Sequence, residues 1–143
     1  MIIVPYARKA QFYETDQMGV IHHSNYIRWF EEARVDFMKQ IGFTYERVEK
    51  EGITFAVLGL SCDYKSPVHF GDTVFVQVEL ASCSSSRMAL SYRVTDASDG
   101  GLRTTGETRH YFFRKEDARP VSLKKSIPEL YGLFCSMVAD KGQ

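Results

Sequence analysis

Ser24-Asn25-Tyr26-Ile27-Arg28-Trp29-Phe30-Glu31-Glu32-Ala33-Arg34-Val35-Asp36-Phe37-Met38-Lys39-Gln40-Ile41-Gly42 is the stretch whose periodicity decides the fold. Tyr26, Trp29, Phe30, Ala33, Phe37 and Ile41 recur at helical spacing, while Arg28, Glu32, Asp36 and Lys39 fall elsewhere on the wheel. The pattern predicts a helix from Asn25 to Ile41, with Ser24 as its N-cap and Gly42 as its stop. At 1.5 Å per residue such a helix is about 25 Å long, as long as a small sheet is wide. Its aromatic face makes it the core element.

Working outward, Ala7 to Glu14 alternates weakly and reads as a first strand, followed by the polar turn Thr15-Asp16-Gln17-Met18-Gly19. Beyond the helix, Thr44 to Lys50 is a short helical piece, and the period changes at Gly52. Ile53 to Leu60 is apolar on both faces, which predicts a central strand. Val74, Val76, Val78 and Leu80 alternate with polar neighbours, as do Met88, Leu90 and Tyr92, and Ser84-Ser85-Ser86-Arg87 between them reads as a hairpin turn. Asp99-Gly100-Gly101 is a second hairpin signal. It leads into Leu102 to Arg114, where Thr104, Gly106, Thr108 and His110 form an uncharged face and Gly106 lets a helix approach closely.

Ser126-Ile127-Pro128-Glu129 has capping-box spacing and opens a C-terminal helix of about residues 127–139. The succession, one strand, a long helix and then four strands in antiparallel order, is that of one α+β domain spanning residues 1–143, in which a helix lies across one five-stranded antiparallel sheet. Phe75, Tyr111 and Phe113 fall on the strand faces opposite the helix, which predicts that a partner subunit covers part of the sheet.

Composition narrows the function. With 143 residues and 44% apolar side chains the chain can bury one core without disulfides or structural metals. Its 18 basic and 18 acidic residues cancel, which argues against holding nucleic acid or an anionic membrane by counterion release. Cys62, Cys83 and Cys135 are an odd number without a C-x-x-C pair, the usage of a reducing compartment, and read as small buried apolar residues. No stretch approaches the roughly 20 apolar residues of a membrane span, so a soluble cytoplasmic protein is expected.

Reactive groups concentrate between the first strand and the long helix, from Thr15 to Tyr26. The first turn of a helix offers unpaired N–H groups and positive dipole, which polarise a carbonyl or stabilise an oxyanion. Asp16 lies seven residues before His23 across a loop containing Gly19, so its carboxylate can fold back toward that helix start. The same aspartate also suits a turn, hydrogen-bonded to the backbone two residues on. Adjacent His22 and His23 point apart and lack acidic or cysteine companions, so no metal site is expected, although an imidazole there suits proton transfer. Glu31 and Arg34, three apart, suit a structural ion pair. Neither a serine-nucleophile elbow nor a phosphate-binding glycine loop occurs.

Tyr13-x-Thr15-Asp16-x-x-Gly19, then His23-x-x-Tyr26, then Glu31-x-Ala33-Arg34 resembles the signature of hot dog fold acyl-CoA thioesterases. More narrowly it is similar to the 4-hydroxybenzoyl-CoA thioesterase type and its Tol-Pal-associated relatives. Asp63-Tyr64-Lys65-Ser66-Pro67 with Gly71-Asp72 extends the resemblance, which covers most of residues 6–115. It implies a sheet wrapped around one long helix, dimers whose sheets join edge to edge with active sites at the boundary, and in many relatives tetramers. It further implies that Asp16 acts as base or nucleophile, that backbone N–H groups around His23 and Ser24 polarise the thioester carbonyl, and that His23 assists.

On this resemblance Gly19, His22, Tyr26 and Glu31 belong to the substrate pocket, Lys65 and Arg87 meet the nucleotide end of coenzyme A, and no cofactor or metal is required. His22 departs from the aromatic residue expected beside the acyl group. The expected activity is hydrolysis of an acyl-CoA to a free acid and coenzyme A. A non-catalytic acyl-CoA binding scaffold and an enoyl-CoA hydratase are the alternatives, the latter lacking its Asn-Pro signature here. A DNA-binding regulator has no basic face or recognition helix to support it.

Overall fold

The computed structural model describes residues 2–141. Strand β1 (Tyr6–Lys9) leads through a 3-10 turn (Phe12–Glu14) to helix α1 (Ser24–Gln40) and helix α2 (Tyr45–Lys50). Four strands follow, β2 (Ile53–Tyr64), β3 (Thr73–Cys83), β4 (Arg87–Asp96) and β5 (Leu102–Arg114), and then helices α3 (Leu123–Ser126) and α4 (Pro128–Lys141). The strands form one antiparallel sheet in the order β1-β3-β4-β5-β2.

The predicted helical stripe is the buried face of α1: Tyr26, Trp29, Phe30, Ala33, Phe37 and Ile41 are all buried, joined by Met38. They meet the inward residues of the sheet, Val74, Val76, Val78 and Leu80 on β3, Leu90, Tyr92 and Val94 on β4, and Thr104, Thr108, His110 and Phe112 on β5. Phe30 stacks on Tyr92 with ring centroids 4.3 Å apart. Its edge occupies the space a side chain at Gly106 would fill, 2.5 Å from an ideal Cβ there, so the glycine is what lets α1 seat this deeply.

Four expectations are corrected. The first strand is shorter than Ala7 to Glu14, because the chain leaves the sheet after Lys9 and the Glu14 carboxylate gathers donors that hold it in a turn. Strand β2 is not central but an edge, with Val57, Leu58 and Leu60 between 43% and 50% exposed. An edge that is apolar on both faces carries the same pattern as a buried strand. Ser126 caps nothing: it lies inside α3, whose first turn is capped by Ser122 Oγ accepting from Lys125 N–H, and α4 starts at Pro128, a residue suited to a first helical turn. Cys135 is exposed, and only Cys62 and Cys83 are half-buried.

The C-terminal helix is part of the core, since Leu123, Ile127, Leu130 and Phe134 are buried in the same cluster as α1. On the outer side of the sheet Phe75 is 40% exposed, while Tyr111 and Phe113 are half-buried. Among the described residues no helix is long and apolar enough to cross a membrane.

Candidate active site

Asp16 sits in a turn that its own side chain closes. Oδ1 accepts the Met18 N–H at 2.8 Å, the Asp16 carbonyl accepts the Gly19 N–H at 3.0 Å, and Gly19 takes φ +79°, a conformation glycine adopts without strain. The turn role and the reactive role read from the sequence are therefore compatible, because the turn uses one carboxylate oxygen. Among the described residues the other oxygen has no hydrogen-bond partner.

The turn is bridged back onto the chain leading into α1, with the Asp16 N–H on Val20 O at 2.9 Å and the His22 N–H on Glu14 O at 2.8 Å. This brings Asp16 to a cleft of about 320 Å³ lined also by Ile21, His23, Tyr26, Tyr64, Lys65, Ser66 and Pro67. Asp16, His23, Tyr26 and Lys65, separated in sequence, thus face one space.

The start of α1 differs from the reading of Ser24 as N-cap. Ser24 is the first helical residue, and the cap is supplied by the imidazole of His22, whose Nδ1 accepts the Ser24 N–H at 3.2 Å and lies 2.9 Å from Ser24 Oγ. The Asn25 N–H is held by His22 O and the Tyr26 N–H by His23 O. Among the described residues the His23 N–H, just before α1, has no acceptor. Of the two expected oxyanion donors, Ser24 is engaged and His23 is free.

His22 is exposed and does not line the cleft; the two imidazoles, expected to point apart, instead stack at 4.1 Å because the chain turns into α1 at this point. Tyr64, at the end of β2, is a cleft residue to which the sequence assigns no role. Its hydroxyl donates to His23 O at 3.2 Å, and its ring meets Tyr26 edge-on at 5.3 Å. Burial of the phenol, with Cys62 and Tyr26 beside it, pushes its pKa up to about 12, so it stays a proton donor across the neutral range. Its place in the segment Asp63-Tyr64-Lys65-Ser66-Pro67, which carries part of the resemblance, is the signal that could have pointed to it.

Of the expected pocket residues, Gly19 shapes the Asp16 turn without lining the cleft and Glu31 lies elsewhere, as does Arg87, expected to meet coenzyme A. Glu31 is on the exposed side of α1, where it lines two other grooves, one with Tyr6 and Arg28, one with Tyr45 and Phe55. Its expected pairing with Arg34 is not formed. Arg34 is buried, donates to Tyr92 Oη at 3.3 Å and faces Tyr45, because α1 turns it toward the sheet. Arg87 opens β4 opposite Tyr111, away from the cleft. Among the described residues no group of three or more His, Cys, Asp or Glu is placed to hold a metal ion.

Comparison with known proteins identifies the family and the fold. Residues 10–130 match the family model described as the thioesterase-like superfamily. YneP of Bacillus subtilis, provisionally named an acyl-CoA thioesterase, is 30% identical over 88% of this chain and 91% of its own. The acyl-CoA thioester hydrolase YbgC of Escherichia coli is 24% identical over 83% of this chain and 88% of its own. A DHNA-CoA thioesterase of Staphylococcus aureus superposes with a TM-score of 0.91 at 31% identity, over 98% of this chain and 95% of that one. With one long helix wrapped by a five-stranded antiparallel sheet, this chain belongs to the thioesterase-like superfamily and is a thioesterase of the hot dog fold.

Proposed function

We propose that the protein hydrolyses an acyl-CoA thioester to a free carboxylic acid and coenzyme A, with Asp16 as general base or nucleophile. The observation that carries this reading is the cleft itself: it is lined by both Asp16, one of whose carboxylate oxygens has no hydrogen-bond partner among the described residues, and His23, the residue just before α1. A thioester carbonyl is already electrophilic, so orientation and oxyanion stabilisation are the main demands.

In the general-base form, Asp16 takes a proton from water as the water oxygen bonds to the carbonyl carbon. The His23 N–H, aided by the helix dipole, stabilises the oxyanion. Collapse of the tetrahedral intermediate breaks the C–S bond, and the departing coenzyme A thiolate takes up the proton that Asp16 gained from water, which restores the carboxylate. In the nucleophile form Asp16 bonds to that carbon, the C–S bond breaks to release coenzyme A thiolate and leave a mixed anhydride, and water then hydrolyses the anhydride, giving the free acid, the Asp16 carboxylate and a proton that the thiolate takes up. The scheme requires no metal or organic cofactor. Lys65, exposed where it lines the cleft, suits the phosphates of coenzyme A, whereas Arg87 does not line it.

The exposed apolar edge of β2 supports a dimer through edge pairing, and the partly exposed Phe75 face supports further assembly into a tetramer. Three unpaired cysteines fit a cytoplasmic setting. The test is free-thiol release from hexanoyl-, palmitoyl- and benzoyl-CoA by wild type and Asp16→Asn, the aromatic ester being included because the Staphylococcus aureus relative is a DHNA-CoA thioesterase. Turnover of at least one ester, lost by 100-fold or more in folded Asp16→Asn, is expected. Binding of these esters without thiol release would favour the scaffold reading instead.

A further inference from the structure

We propose that Glu14 is the positioning residue that sets the Asp16 carboxylate against the start of α1, an inference that rests on the catalytic reading of Asp16. Glu14 is 3% exposed, and a buried carboxylate is costly unless its oxygens are filled by donors. Four donors fill them. Oε2 accepts from Trp29 Nε1 at 2.9 Å and from an Arg8 guanidinium nitrogen at 3.0 Å, and Oε1 accepts the Gln11 N–H at 2.9 Å and the other Arg8 nitrogen at 3.2 Å. Its backbone carbonyl takes two more, from the His22 N–H at 2.8 Å and Asn25 Nδ2 at 2.9 Å.

These partners belong to different parts of the fold. Arg8 is on β1, Trp29 and Asn25 are on α1, and His22 caps the helix whose start faces the cleft. The bonds that shape the Asp16 turn, to Met18, Gly19 and Val20, are internal to it and fix the turn's shape. What fixes its place relative to α1 is the Glu14 junction, two residues upstream, together with the Thr15–Ile21 bridge and the pairing of Ile21 with Val68 O. Displacement of a catalytic group by about 1 Å can cost on the order of 100-fold in rate, so this anchor acts on the chemical step without touching substrate.

Charge is required as well as shape. All four groups around the side chain are donors, and an amide in place of the carboxylate would set its own N–H groups against one pair of them. Glu14→Gln, nearly isosteric, therefore shifts the turn rather than emptying the site. Trp29→Phe removes one of the four donors while keeping an aromatic ring in the core.

The experiment measures kcat and KM by free-thiol release with whichever of hexanoyl-, palmitoyl- or benzoyl-CoA wild type turns over fastest, in Glu14→Gln, Trp29→Phe, Asp16→Asn and Asp16→Asn/Glu14→Gln, each verified as folded by circular dichroism. The expected result is a kcat at least ten-fold lower in Glu14→Gln and several-fold lower in Trp29→Phe, with KM within two-fold of wild type. In the Asp16→Asn background Glu14→Gln should change the residual rate by less than two-fold, because its effect runs through Asp16. Wild-type kcat in folded Glu14→Gln, or in folded Trp29→Phe should Glu14→Gln not fold, overturns the inference. So does an equal loss with and without the Asp16 carboxylate, which marks a merely structural role. Near-normal turnover in Asp16→Asn itself would instead remove the catalytic reading on which the inference rests.

Discussion

His110 gives the sharpest quantitative expectation, because it is a histidine sealed in the core beside a cation. It is 1% exposed on the inward face of β5, with Nε2 2.7 Å from Thr108 Oγ1. That hydroxyl lies 2.7 Å from Tyr92 Oη, which in turn accepts from Arg34. Burial first, and the Arg34 guanidinium second, push the imidazole from 6.5 down to about 4, against a smaller upward pull from the Ala56 backbone. The sign follows directly. Above pH 6.5 the ring is neutral in both folded and unfolded chains, and its burial carries no proton-linked penalty. Between pH 6.5 and 4 only the unfolded chain takes the proton, so stability falls as pH falls, toward a limit of about 3 kcal/mol.

By about pH 4.5 the loss attributable to this ring is about 2.5 kcal/mol. Urea unfolding of wild type and His110→Gln at one protein concentration, from pH 8 to 4.5, measures it. His22, His23 and His69 are exposed and common to both proteins, so they cancel in the difference, as do the carboxylates. The wild-type curve should drop relative to the variant by that amount on the acid side, with the two running parallel above pH 7. Parallel curves throughout, within about 0.5 kcal/mol, would mean that the ring is solvated or rearranges on protonation, and the account of the buried Arg34–Tyr92–Thr108–His110 chain would fail.

Two further outcomes follow from single contacts. Gly106→Ala should lose about 1–3 kcal/mol in urea unfolding, because its Cβ would lie 2.5 Å from the Phe30 ring and 3.0 Å from the Ser61 carbonyl; an unchanged midpoint would show that Phe30 yields freely. Tyr64→Phe removes the donor on His23 O and should lower kcat several-fold while changing stability by less than about 1 kcal/mol, the ring being half exposed; unaltered kcat would show that the His23 peptide needs no outside support.

What could be read from the sequence, and what could not, divides along physical lines. Helix α1 was legible because every one of its buried aromatic residues sits on one stripe, and the hairpins because serine and glycine clusters punctuate them. The place of β2 was not, since apolar character on both faces is shared by a buried central strand and an edge made for pairing. The cap of α1 was missed because an imidazole supplies it, outside the usual Ser, Thr, Asp and Asn pattern. Asp16, His23, Tyr26 and Lys65 were nominated from spacing and resemblance, and chain folding brings them to one cleft. Glu14 was invisible, since its donors come from Arg8 and Trp29, on different elements, and no local spacing announces a junction of that kind.

Strand β2 joins two features that the sequence presents separately. Its middle, around Val57 to Leu60, is the exposed apolar edge, and its last residue, Tyr64, holds the carbonyl of the peptide that precedes α1. A strand is stiff along its length, and β2 is paired to β5 almost throughout, from Ile53 to Tyr64, with one irregularity between Val57 and Gly59. Pairing of the free edge with a second copy would therefore restrain Tyr64 together with the rest of the strand, and through it the His23–Ser24 peptide, whose carbonyl Tyr64 holds and which adjoins the peptide that carries the His23 N–H. Oligomerisation and oxyanion geometry would share one element, so a dimer made through this edge would tie catalytic competence to assembly.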